Sequence, residues 1–221
     1  MGKITDAEIF AKIRETGLVP VFNHSDVEVS KQVLKSCYAG GLRFFEFTNR
    51  GSNGFEVFRE LADYAMQFDD LVLGIGTIFS KPDMVKFHDS GARFVVSPAL
   101  VPEMAVMNST DELLWVPGCG TVSEVYQAQR LGAKLIKVFP GNVLGPEFVK
   151  SVKDVLPDTR LMPTGGVSPE KDNLEAWFDA GVCCVGMGSQ LIPKALLAAG
   201  DFDGLTARIR DAVALIKSIR T

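Results

Sequence analysis

The chain has 221 residues, 47% of them hydrophobic, and a formal net charge of −4, with a pI near 5.3. An acidic balance without a basic stripe excludes a nucleic-acid binder, whereas a small phosphorylated or carboxylated ligand needs only local positive groups. No linker or low-complexity stretch divides the chain, so a single domain over residues 1–221 is expected.

The opening stretch MGKITDAEIF starts an amphipathic helix and lacks the apolar core of a signal peptide. Asp6 stands where N-myristoylation of Gly2 would call for serine or threonine. No apolar run is long enough to span a membrane. Cys37, Cys119, Cys183 and Cys184 form neither a CxxC nor a disulfide-framework spacing. They fit a reducing compartment, and a cytoplasmic protein is expected.

Four segments then share one shape: AGGLRFFEFTNRG, SGARFVVSPA, LGAKLIKVFPGN and AGVCCVGMGSQ. In each, a helical pattern ends in glycine, a short apolar run follows, and a polar or Gly/Pro-rich turn closes the unit. Glycine at a helix exit suits a left-handed cap. A wholly apolar run suits a strand buried on both faces, as parallel sheets require. With weaker members the period predicts strands at Leu18–Phe22, Phe44–Thr48, Leu71–Thr77, Phe94–Pro98, Leu113–Pro117, Leu135–Phe139, Arg160–Pro163 and Cys183–Val185. Amphipathic segments such as VSKQVLKSCYA and SEVYQAQRL lie between them. The spacing of roughly 20–28 residues is a minimal βα unit. Eight units in a row predict an α/β fold of the (β/α)8 TIM-barrel type with an N-terminal helix; a doubly wound open sheet is the alternative. In such barrels the active site lies at the C-terminal ends of the strands.

Taken in order, those ends offer the following. In strand two, alternation puts Phe44, Glu46 and Thr48 on one face. An inward carboxylate needs a partner or a raised pKa, so Glu46 is either a proton-transfer group or half of a buried ion pair with Arg50, Lys137 or both. Arg50, just past the strand, suits a carboxylate or phosphate and equally suits solvent. After strand three, Gly74 and Gly76 permit a close approach and Thr77 offers a hydroxyl, or the segment is a tight corner before a helix. Ser97 and Pro98 can simply end strand four. Thr121 and Glu124 after strand five fit a capping box.

In strand six, Leu135, Lys137 and Phe139 share a face. Lys137 sits among Ile136, Val138 and Phe139, where a side chain cannot easily snorkel to water. Burying an unpaired ammonium is costly, and a buried amine commonly gives up its charge and becomes a nucleophile. The competing reading is an ion pair with Glu46. After strand seven, Gly165 and Gly166 precede a helix expected to be capped by Ser168 with Pro169 at its first position. After strand eight, VGMGSQL also opens a helix. Glycine loops at two adjacent helix starts can present N–H groups to an anion, and this is the usual barrel phosphate position. His24 and His88 are the only histidines. Cys183 and Cys184 are adjacent in a strand and should face opposite ways, so no metal site is expected.

The ordered set VPVF, FEFTNR, GIGTI, VVSPAL, VPGCGTVSE, IKVFP, MPTGGVSP and VGMGSQL resembles the 2-keto-3-deoxy-6-phosphogluconate / 4-hydroxy-2-oxoglutarate aldolases over nearly the whole chain. The resemblance implies a class I, cofactor-free aldolase that is usually trimeric. It implies that Lys137 forms a Schiff base with the C2 ketone of a 2-keto acid and that Glu46 shuttles protons. It further implies that Arg50 and Thr77 hold the pyruvyl carboxylate, that Thr164 lines the pyruvyl end, and that Pro98 and Phe139 shape the wall. Gly165, Gly166, Gly188 and Ser189 match the phosphate end. Asn49 and Gly51 flanking Arg50, with Met187 and Gln190 in the last loop, depart from the family's usual pattern and bear on the far end of the substrate. A phosphosugar isomerase or epimerase on the same barrel, or a non-catalytic sugar-acid binding protein, are the alternatives.

Overall fold

In the computed structural model, which describes residues 6–110 and 113–220, helices and strands alternate along the chain. The order is α1 (Asp6–Thr16), β1 (Leu18–Phe22), α2 (Val27–Ala39), β2 (Phe44–Thr48), α3 (Gly54–Ala65), β3 (Val72–Gly76), α4 (Lys81–Asp89) and β4 (Phe94–Val96). A 3-10 helix (Pro102–Thr110) leads to β5 (Leu114–Val116), β6 (Gly118–Cys119), α5 (Val122–Arg130), β7 (Ile136–Val138), α6 (Gly141–Val155) and β8 (Leu161–Pro163). The chain ends with α7 (Lys171–Asp179), β9 (Val185–Met187), α8 (Lys194–Ala199) and α9 (Phe202–Ile219). The expected N-terminal helix is present from Asp6; the readings that fall on Gly2 and its neighbours lie outside the described residues. Among the described residues no helix is long and apolar enough to cross a membrane.

Every strand pairing is parallel. One ladder runs β5-β4-β3-β2-β1-β9 and the other β6-β7-β8. The α/β alternation and parallel pairing agree with the sequence; among the described residues the strands form these two ladders and not a single eight-stranded one. The break falls at Pro117, between β5 and β6, where proline has no N–H to give to a ladder. At the other seam an isolated parallel bridge joins Thr164 to Gly186.

Alternation sorts the strand side chains into two clusters. Phe45, Phe47, Ile75, Val95, Trp115, Ile136, Val138 and Leu161 pack outward under the helices. Val19, Phe44, Val72, Phe94, Val96, Leu114, Val116, Leu135 and Met162 face inward, and Ile9 and Ile13 of α1 join them. Fully burying each such side chain stabilises by about 1.5–3 kcal/mol. The inward positions nearer the strands' C-terminal ends are polar and buried instead: Glu46, Thr48, Lys137 and Thr164.

Four local expectations need correction. The last strand is Val185–Met187, not Cys183–Val185, because Leu18, Val19 and Pro20 of β1 register with Val185, Gly186 and Met187. Cys183 precedes the strand, so alternation does not govern it, and both Cys183 and Cys184 pack on the inward cluster. Helix α7 begins at Lys171 behind Glu170, not behind Ser168. There the Asn173 side chain accepts from the Ser168 N–H (2.9 Å) and donates to the Gly166 carbonyl (3.1 Å), which satisfies the turn without a helix. The loop after β9 likewise runs through turns to Pro193 before α8 starts. The capping box at α5 forms in part: the Glu124 N–H donates to Thr121 Oγ1 (3.2 Å), but the Glu124 carboxylate accepts the N–H of Gly120 (2.9 Å), one residue before the cap.

Candidate active site

Glu46 stands in the middle of β2 with no exposed surface. Among the described residues neither of its carboxylate oxygens has a hydrogen-bond partner. Lys137, in the middle of β7 and 5% exposed, places Nζ 4.0 Å from Glu46 Oε1. That is too long for a hydrogen bond, so the two groups face each other across a gap. Burial pushes the Glu46 carboxyl above its ordinary range; the positive charges of Lys137 and then Arg50 pull the other way without cancelling it. Lys137 Nζ also lies 5.0 Å from the centre of the Phe139 ring.

The carboxylate owes its space to Gly76. A Cβ at that position would overlap Glu46 Oε1. Gly76→Ala should therefore force the carboxyl aside and lower stability by about 1–3 kcal/mol, the usual cost of overpacking. A urea midpoint unchanged from wild type would refute this steric account. The residue that follows, Thr77, adopts φ 65°, a left-handed conformation that costs a β-branched residue about 1–3 kcal/mol.

A cavity of about 860 Å³ opens at the C-terminal ends of the strands. Of the residues expected at the site, Arg50, Phe139, Thr164, Gly165, Gly166, Gly188 and Ser189 line it. Lys137 and Glu46 are buried below its surface and approach it through Phe139 and through Thr48, two residues beyond Glu46 on β2. Thr164 Oγ1 is buried and has no hydrogen-bond partner among the described residues. It fits against β9 because Gly186 has no Cβ to meet it. Thr77 and Pro98 are not among the lining residues; the backbone of Pro98 packs instead against Gly118. Ser97 is buried and accepts the Trp115 indole N–H at 2.9 Å.

Sequence reasoning missed Asn23 and Lys194, named Gln190 only as a departure bearing on the far end of the substrate, and left His24 without a role; all four line the cavity. Asn23 Nδ2 donates to the carbonyls of Thr48 (2.7 Å) and Arg50 (3.3 Å), tying the end of β1 to the end of β2 and holding the Arg50 loop. The His24 ring stacks on Phe22 and its Nδ1 accepts the Asp26 N–H at 3.1 Å. In the neutral ring, Nε2 is then the donor. The signal for Asn23 and His24 was available, since both directly follow a strand end. Lys194 follows β9 only after a turn, so strand-end reasoning does not reach it. The arrangement unites a buried lysine, a buried carboxyl shifted above its ordinary range, a guanidinium and glycine-lined walls. Such a set can attack a ketone, move protons at the adduct and hold an anion.

Comparison with known proteins places this geometry. The family model described as KDPG and KHG aldolase matches residues 9–208. The KHG/KDPG aldolase of Escherichia coli strain K12 is 30% identical over 199 residues, 89% of this chain and 90% of that protein. The KDPG aldolase of Legionella pneumophila, solved with pyruvate captured at low pH as a covalent carbinolamine intermediate, superposes with a TM-score of 0.82 at 25% identity, covering 92% of this chain and 97% of that one. The 2-keto-3-deoxy-6-phosphogluconate aldolase of Zymomonas mobilis with 3-phosphoglycerate gives a TM-score of 0.79 at 27% identity, covering 94% and 95%.

Proposed function

We propose, for a chain that belongs to the KDPG and KHG aldolase family, the reaction of a class I aldolase: cleavage of a 2-keto-3-deoxy-6-phospho sugar acid or 4-hydroxy-2-oxoglutarate to pyruvate and an aldehyde, glyceraldehyde 3-phosphate or glyoxylate. The observation that carries the reading is the Lys137–Glu46 pair, an amine and an unpartnered carboxyl facing each other across 4.0 Å at the cavity floor. Lys137 Nζ attacks the C2 ketone and the tetrahedral adduct loses water to give the imine. Glu46, whose carboxyl keeps its proton more readily than an exposed one, protonates the departing hydroxyl. As carboxylate it then takes the proton from the C4 hydroxyl. The C3–C4 bond breaks, the aldehyde leaves, and the electron pair flows into the cationic imine as an enamine. Protonation at C3 and hydrolysis release pyruvate and restore the amine.

In this reading Arg50 holds the pyruvyl carboxylate, Thr164 Oγ1 lines the pyruvyl end and Phe139 shapes the wall, whereas the expected partners Thr77 and Pro98 are not part of the cavity lining. Gly165, Gly166, Gly188 and Ser189 form the phosphate end. Lys194, on the same cavity wall, adds a positive charge for that phosphate. The two ladders form one single-domain (β/α)8 barrel in which β5 and β6 are a strand interrupted at Pro117. The Pro117 carbonyl accepts the Lys137 N–H at 2.8 Å, and the Thr164–Gly186 bridge spans the other seam; a crystal structure with an open gap at either seam would overturn this. Phe79, Val106, Val122, Tyr126 and Val143 are each at least 41% exposed, on segments that follow successive strands, and support a homotrimer. Light scattering should return about three times 24.0 kDa.

The functional test is incubation with pyruvate and borohydride, followed by intact mass and peptide mapping. A reduced pyruvate adduct on the Lys137 peptide is expected. A folded protein that shows no adduct at saturating pyruvate would end the Schiff-base reading. Phosphorylated and unphosphorylated substrates compared by kcat/KM then identify the aldehyde half.

A further inference from the structure

At the opposite end of the strands lies a second cavity of about 240 Å³, lined by Arg14, Lys153, Asp158, Arg160, Cys183 and Arg220 together with backbone neighbours. Arg14 precedes β1, Arg160 precedes β8 and Cys183 precedes β9, so this is the N-terminal end, remote from Lys137. Four of the lining side chains are cationic and one is acidic. Among the described residues none of those four cations forms a salt bridge to a carboxylate. They are held by neutral groups instead: Lys153 Nζ donates to the Thr159 carbonyl (3.0 Å), Arg220 Nη1 to the Arg14 carbonyl (2.6 Å), and the Arg160 guanidinium lies 4.5 Å from the Phe10 ring centre. The cluster therefore retains its positive field.

Cys183 is half-buried at this cavity, whereas Cys37, Cys119 and Cys184 are buried. The adjacent Cys184 side chain favours ionisation of Cys183, burial opposes it, and the positive charges of Arg160, Arg220 and Arg14 favour it; together they hold the Cys183 thiol down at about 7. By contrast, burial pushes the Cys37 and Cys119 thiols up.

We propose that Cys183 is a second reactive nucleophile of this protein, a modification site selective for small electrophiles that carry a carboxylate, with low-molecular-weight anionic disulfides as the natural class. The reasons are geometric: a half-buried cysteine lines a cavity whose walls carry four cations against one acid, and among the described residues none of the four is in a salt bridge. The exchange balances without a further oxidant. The Cys183 thiolate attacks one sulfur of the disulfide, a new S–S bond forms, the old one breaks, and the other half leaves as a thiolate that takes up a proton. Nothing in this depends on the aldol reading.

The test treats the full chain briefly with iodoacetate or iodoacetamide and maps the products. Cys183 should be alkylated well before the other three cysteines. Its iodoacetate-to-iodoacetamide rate ratio should exceed that of an unstructured cysteine peptide by about 10-fold, as a cationic pocket concentrates anions. Raising the salt to about 1 M should shrink that preference, since exposed fields are screened within about 3 Å there. Arg160→Gln should lower the iodoacetate rate more than the iodoacetamide rate. The dianionic disulfide 3,3′-dithiodipropionate should form a mixed disulfide at Cys183 faster than cationic cystamine does. An inert Cys183 in the folded wild-type chain, or labelling without charge preference, overturns the proposal whatever the variant does.

Discussion

Lys137→Ala should lower kcat for aldol cleavage by about 10⁴-fold or more, the scale seen when a covalent nucleophile is removed, and should abolish the borohydride-trapped pyruvate adduct. The reasoning rests on the imine as electron sink: without the amine, C3 must bear the charge unaided. Lys137→Arg makes the sharper control, since guanidinium keeps the positive charge beside Glu46 but does not act as a nucleophile at neutral pH. Both variants should be equally inactive. Retention of an adduct on any peptide in Lys137→Ala would move the nucleophile elsewhere. Activity in Lys137→Arg would reduce the lysine to a charge.

Glu46→Gln should lower kcat by about 10²–10⁴-fold, the contribution of a positioned acid–base group, while leaving a slow, trappable imine. The same variant should gain stability relative to wild type as pH rises. The sign follows from proton binding. The folded-state pKa of Glu46 lies above the ordinary value of 4.5, so between 4.5 and the folded value the native protein binds more protons than the unfolded chain. In that interval wild-type stability falls with increasing pH. Below 4.5 the carboxyl is protonated in both states and the penalty vanishes. Glutamine never ionises, so the difference between the two urea midpoints should be small at acid pH and grow towards neutrality. A difference that shrinks with rising pH would mean that Lys137 and Arg50 outweigh burial and hold Glu46 ionised.

Much of this was legible before the structure, and the reasons are local. β1 and β2 begin and end where the apolar runs do, because a strand buried on both faces leaves its full length in the sequence. Glu46 and Lys137 stood out because each interrupts such a run, and alternation alone put both on the inward face. The failures lie where tertiary pairing overrides composition. Cys183 and Cys184 look like strand residues, yet β9 starts after them because β1 sets the register. Pro117 reads as a strand terminus, but the chain resumes pairing at Gly118. Ser168 has the right identity for a helix cap, but the Asn173 side chain satisfies its turn first. Lys194 reaches the cavity from beyond a turn, and only its place in space connects it to Gly165 and Gly188.

The inward apolar layer has a kinetic consequence. Phe44, Phe94, Leu114, Leu135 and Met162, with Ile9 and Ile13 beneath them, close the interior below Lys137, so the catalytic well is blind-ended. The cavity opens at the C-terminal ends of the strands. On the proposed reaction the pyruvyl half, tethered to Lys137 after bond cleavage, would sit deepest and the aldehyde half nearest the exit. Departure is therefore sequential, aldehyde ahead of pyruvate, and in the synthetic direction the keto acid must be loaded first, because an aldehyde arriving early would obstruct its path.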